Sequence, residues 1–109
     1  MLYDPLCIPD PEGFRFIDPS EIIYIESNNS YCNIYCINKV QYKMVRLTVQ
    51  EITSRLSATL FHRVHRCYVV SRLHIITINK SKTRIHCVED ISIRIGDTYR
   101  PGFLGRFGL

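Results

Sequence analysis

The sequence predicts a mostly β fold, with elongated antiparallel β-sheets and one short central α-helix. Three observations carry that expectation. Runs such as Ile22-Ile23-Tyr24-Ile25 and Ile75-Ile76-Thr77-Ile78 recur along the chain, and β-branched and aromatic residues suit a pleated, half-buried surface. Short clusters of Asn, Ser and Lys separate the runs, which is the chemistry of hairpin turns. Only the segment after Thr48 changes to helical spacing.

The chain has 109 residues, 46% of them apolar, enough for one domain with a modest core. Pro5, Pro9 and Pro11 alternate with acidic residues at the start. Residues 1–12 are therefore expected to be a linker or tail, and residues 13–109 the folded domain, with core residues from about Phe14.

Asp18-Pro19-Ser20-Glu21 offers a turn before the strand Ile22 to Ile25. Asn28-Asn29-Ser30 tolerates positive φ and predicts a hairpin loop into a strand over Tyr31 to Ile37. Asn38-Lys39 makes the next turn, and Val40 to Met44 alternates as a half-buried strand should. Thr48 and Glu51 fit a capping box, with Leu47 and Ile52 at the staple positions. Val49, Ile52 and Leu56 then share one face of a helix expected to end near Ser57. Further strands follow over Ile75 to Ile78 and Thr83 to Val88, joined by Asn79-Lys80-Ser81-Lys82. In the last strand Ile91, Ile93 and Ile95 alternate with polar residues until Gly96-Asp97 breaks it. Tyr99 to Phe107 is expected to be a tail with apolar anchors.

Net charge is +4, yet its distribution is uneven: one basic and six acidic residues lie in positions 1–38, thirteen basic and four acidic in 39–109. That polarity favours a polyanionic partner for the later segment, although charge alone is equally consistent with a solvated face. The five cysteines are odd in number and scattered through apolar runs, so reduced, buried thiols and a cytoplasmic setting are expected. No apolar run approaches the ~20 residues of a membrane-spanning helix.

Metal and catalytic chemistry are expected to be absent. On a strand Cys32 and Cys36 lie roughly 13 Å apart, too far to share one ion. No Gly-rich phosphate loop, nucleophile elbow or His-Glu metal motif is present, so neither a cofactor nor an enzyme is anticipated. Most Tyr and Phe residues occupy apolar positions of the strand pattern, which speaks against a stacking row for single-stranded RNA. Arginine can bind guanine bidentately, while lysines such as Lys39, Lys43, Lys80 and Lys82 neutralise phosphates without reading sequence.

The most telling stretch is Phe61-His62-Arg63-Val64-His65-Arg66-Cys67-Tyr68-Val69-Val70-Ser71, where cationic residues run into an apolar strand. If Tyr68, Val69 and Val70 anchor in a core, the arginines are held at a fixed surface position. Together with Thr48 to Leu56 before it, Ile22-Ile23-Tyr24-Ile25-Glu26, and Ile93-Arg94-Ile95-Gly96-Asp97-Thr98-Tyr99-Arg100, this stretch resembles the LytTR DNA-binding domain family of bacterial response regulators over Phe14 to Phe107. Cys67 stands where that family usually has Ser, Ser71 where it has Asn, and Gly96 where Ser is common. Asp97 stands where the family is often basic.

The resemblance implies a transcription regulator of a two-component system that reads promoter direct repeats in double-stranded DNA through loops, with a possible second copy of itself on DNA. A receiver or sensor domain would lie outside this chain. Base contacts would come from Asn29, Ser30, Tyr31, Arg66 and Thr98, and phosphate contacts from Lys43, Arg63, Lys80, Lys82, Arg84 and Arg100. The alternative is a β-rich protein-interaction or ligand-sensing module with a basic face.

Overall fold

Leu6–Asp10 (β1) and Gly13–Ile17 (β2) pair as an antiparallel hairpin in the computed structural model, which describes residues 3–109. This corrects the expected tail: Leu6 and Ile8 are fully or nearly fully buried, whereas Phe14 and Phe16 are exposed. Residues 1 and 2 of that expected tail lie outside the described residues. The hairpin forms because alternate residues of β1 reach a core, and Pro9 is tolerated in a strand whose other edge joins no ladder.

A five-stranded antiparallel sheet dominates the molecule. Its members are Ile22–Asn28 (β3), Tyr31–Cys36 (β4), Gln41–Val45 (β5), Phe61–His65 (β6) and Tyr68–Ser71 (β7), in the order β5-β4-β3-β7-β6. Ile75–Ile78 (β8), Arg84–Cys87 (β9) and Ile91–Arg94 (β10) form a second, three-stranded sheet. Ile85 and Cys87 point inward from β9 while Arg84 and His86 are exposed, as their alternation predicts. β5 does not alternate as expected: Met44 takes positive φ (55°) at a register shift and is exposed, its N–H held by Asn33 Oδ1 at 2.8 Å.

The helix Val49–Ser54 (α1) begins on the predicted capping box, with Thr48 accepting from Glu51 N–H and Glu51 accepting from Thr48 N–H. It stops three residues earlier than the spacing suggested. A second helix, Arg100–Gly105 (α2), replaces the expected tail. Pro101 suits its first turn, and burial of Phe103 and Leu104 holds a segment whose glycines disfavour helix.

Two cores result, one on each face of the large sheet. Ile25, Ile34, Val69 and Phe61 pack with α1 and the β1–β2 hairpin. Ile23, Val64 and Val70 pack with the small sheet and α2. The central strands β3 and β7 are thus buried on both faces, and each fully buried aliphatic side chain contributes roughly 1.5–3 kcal/mol. Of the aromatic residues, Phe61 and Phe103 are buried and most others half-buried, so the aromatic set is more exposed than the strand pattern implied. The molecule measures 44 × 27 × 22 Å.

Candidate nucleic-acid interface

β3 and β7 pair antiparallel, with Ile25 opposite Val69 and Glu26 opposite Tyr68. The Asn29-Ser30 turn leaving β3 and the Arg66-Cys67 turn leading into β7 therefore emerge at the same end of the sheet. Ser27 N–H donates to Cys67 O at 2.7 Å, carrying the ladder to the tip. With strands spaced about 4.8 Å, the two turns sit about 10 Å apart.

Other segments reach the same end. Gly96 N–H donates to Val64 O at 2.8 Å, which sets Asp97–Tyr99 beside β6. Ile95 N–H donates to Thr83 O at 2.8 Å, which brings up the β8–β9 turn with Lys80 and Lys82. Asn29, Ser30, Tyr31, Arg66, Thr98, Lys80 and Lys82 thereby belong to one end of the molecule. Asn29 takes the positive φ (57°) anticipated for that turn, and Asn28 Nδ2 donates to Tyr31 Oη at 3.2 Å. Arg66 is exposed and its guanidinium makes no hydrogen bond or ion pair among the described residues.

The remaining cations behave differently from one another. Arg84 is exposed, donates to Ser92 Oγ at 3.1 Å and lies directly opposite Arg94. Like charges facing across a ladder are destabilising, and an anion between them would relieve that repulsion. Lys43 lies partway along the edge strand β5, where its Nζ donates to Tyr35 Oη at 3.3 Å and lies 5.2 Å from that ring's centroid. Arg100 is turned inward: it pairs with Asp97 at 2.8 Å, and its Nε is buried with no hydrogen-bond partner among the described residues. Arg63 Nε donates to His65 O at 3.0 Å, another of its nitrogens donates to Arg66 O, and its guanidinium lies 5.6 Å from the Tyr99 ring centroid.

Two exposed arginines near this end, Arg46 and Arg94, were not among the contacts expected from the sequence. Arg46 follows Val45, which pairs with Cys32, so it lies at the Asn29-Ser30 end of β5. Arg94 alternates with buried Ile93 and Ile95, a signal visible in the sequence. Burial, then the charges of Arg94, Arg66 and Arg63, push the His65 imidazole below its ordinary pKa. A neutral ring suits its role, since Nδ1 accepts from Cys67 N–H at 3.0 Å.

Beside this end lies a half-buried polar face. Tyr24 and Tyr35 stack with centroids 4.5 Å apart, and Glu26 accepts from Asn33 and from Tyr35. Burial first, then Tyr35 and Glu26, raise the Tyr24 phenol to about 12. All five cysteines are free. Burial raises the thiols of Cys32 and Cys87 to about 11 and of Cys36 to about 12, which makes them packing residues. Among the described residues no group of three or more His, Cys, Asp or Glu side chains converges as a metal site would require. None of the described helices is long and apolar enough to cross a membrane.

Residues 12–107 match the LytTr DNA-binding domain family. Over 72 residues the chain is 28% identical to the CO-responsive transcriptional regulator RcoM of Rhodospirillum rubrum, a match covering 66% of this chain and 30% of that protein. Its fold is similar to a solved LytTr DNA-binding domain described as belonging to a methyl-accepting/DNA response regulator from Bacillus cereus. The TM-score is 0.80 at 16% identity, covering 98% of this chain and 99% of the other.

Proposed function

The chain belongs to the LytTR DNA-binding domain family, and from that premise we propose that it binds double-stranded DNA sequence-specifically, as the output part of a bacterial transcription regulator in the cytoplasm. One observation carries the reading: three turns from separate parts of the sequence converge at one basic end of the sheet. Two of them lie about 10 Å apart, which suits a major groove about 12 Å wide. Arg66 contacts base edges, as an arginine fork does with guanine O6 and N7, while Asn29, Ser30, Tyr31 and Thr98 flank it. Lys80, Lys82 and the Arg84–Arg94 pair hold phosphates, joined by Arg46 and, from the side, Lys43. Arg100 serves mainly to neutralise Asp97. Two copies occupy a direct repeat.

Selection from random duplexes, followed by sequencing, tests this directly. Enrichment of short repeated motifs, with affinity falling steeply as salt rises, is the expected result. Equal binding to any duplex or polyanion would reject the specific reading. A second reading, a β-rich protein-interaction module, is favoured by Phe14 and Phe16, which are 76% and 66% exposed on the outer face of the β1–β2 hairpin.

A further inference from the structure

We propose that Arg63 is a positioning residue that fastens the Arg66 turn to the Asp97–Tyr99 loop, and that it is not a phosphate ligand. The inference rests on the DNA-reading role assigned to Arg66. A guanidinium has five donors in one rigid plane. Arg63 spends its Nε on His65 O at 3.0 Å and another nitrogen on Arg66 O. The same plane lies against Tyr99, 5.6 Å from guanidinium carbon to ring centroid, within cation–π range. The side-on Nε/Nη2 edge of the fork is thus already engaged within the protein, and a bidentate grip on a phosphate through that edge would break both bonds.

The surrounding contacts have one effect in common. His65 Nδ1 accepts from Cys67 N–H, and Cys67 O accepts from Ser27 N–H. Together with the two Arg63 bonds, these contacts hold His65 O, Arg66 O, Cys67 N–H and Cys67 O. The Arg66 backbone is therefore held on both sides while its side chain remains free. Gly96 completes the join: a Cβ there would lie 3.4 Å from the His65 and Tyr99 rings, and its N–H bonds Val64 O. The Arg66 turn and the Asp97–Tyr99 loop consequently share one frame, in which Arg63 is the cross-piece.

Arg63→Lys separates the two roles, because lysine keeps the charge and loses the planar fork. The full chain is titrated with a duplex enriched by selection and with a scrambled duplex, at several salt concentrations. The expected result is a loss of about tenfold or more in preference for the enriched duplex, with unchanged scrambled-duplex affinity and salt slope. Arg63→Ala should likewise leave the salt slope unchanged, whereas removal of a phosphate contact lowers it by about 0.9. Wild-type preference in Arg63→Lys, or a lowered slope in Arg63→Ala, overturns the proposal.

Amide exchange in the free protein provides a second measurement that needs no DNA. Cys67 N–H should exchange faster in Arg63→Lys while Ile25 and Val69 keep their protection. Unchanged exchange at Cys67 overturns the proposal, as does loss of core protection, since Arg63 would then hold the fold and not the turn. If the wild type binds no duplex, the DNA reading fails while the exchange measurement still decides whether Arg63 fastens the turn.

Discussion

The β6–β7 turn and the β8–β9 turn are both short, basic and at the same end of the molecule, yet they are held by opposite means. Asn79 closes the β8–β9 turn locally: its Oδ1 accepts from Thr83 and Arg84 N–H, and its Nδ2 donates to Ser81 and Thr83 hydroxyls. The β6–β7 turn depends on remote segments, namely Ser27 on β3 and Tyr99 after β10, as well as on Arg63 and His65 of its own hairpin. A locally wired turn presents lysines as point charges wherever it sits. A remotely wired turn fixes the backbone that carries an arginine in the frame of the whole domain, which base reading requires and phosphate contact does not.

The largest expected effect is at Arg66. Arg66→Ala should cost about 1–3 kcal/mol of discrimination between enriched and scrambled duplexes, read by anisotropy titration, with much smaller loss on the scrambled one. Equal losses on both would place Arg66 with the lysines. Next, Asn79→Ala removes four side-chain hydrogen bonds and should lower stability by about 1–2 kcal/mol in urea unfolding, while base preference persists. Lost preference would show that the two turns are not independent. Lys80→Ala and Lys82→Ala should each reduce the salt slope by about 0.9 without altering base preference.

The smallest effect is that of acid. His65 at the β6–β7 turn and His62 beneath α2 both have folded pKa values below the ordinary one. For His62 the causes are burial, then the charges of Arg106 and Arg72, in a site where its ring lies 5.8 and 5.7 Å from Phe103 and Phe107. A depressed folded pKa means that the unfolded chain binds more protons between the two values. Stability is therefore full above the unfolded pKa of about 6.5 and declines as pH falls through the folded values. The Cys67 amide should lose protection on acidification while the Thr83 amide, held by Asn79, keeps it. Parallel loss at both would assign the acid response to global unfolding.

Much of the fold was legible because its signals are local. The capping box at Thr48 and Glu51, the Asn38-Lys39 turn, and the alternation of β9 each depend on residues within a few positions of one another. β1 was obscured because prolines mask a strand that forms only when Leu6 and Ile8 find a core built by later residues. α2 was obscured in the same way, since Phe103 and Leu104 offset poor helix propensity only by packing against the second core. Of the reading positions, Arg66 stood out as a cation beside an apolar strand. Arg94 was within reach of the same alternation rule that identified Ile93 and Ile95.

Strand periods, the helix cap and the supply of cations are written in the chain, because they follow from neighbouring residues and their hydrogen-bonding chemistry. Which cations remain free to meet a ligand is a property of the assembled fold. Arg63 and Arg66 are three positions apart and chemically identical, yet one guanidinium is taken up by turn carbonyls and a distant ring while the other has no partner among the described residues. The physical reason is that a guanidinium is committed by the acceptors around it, and those acceptors are assembled only when separate strands pair.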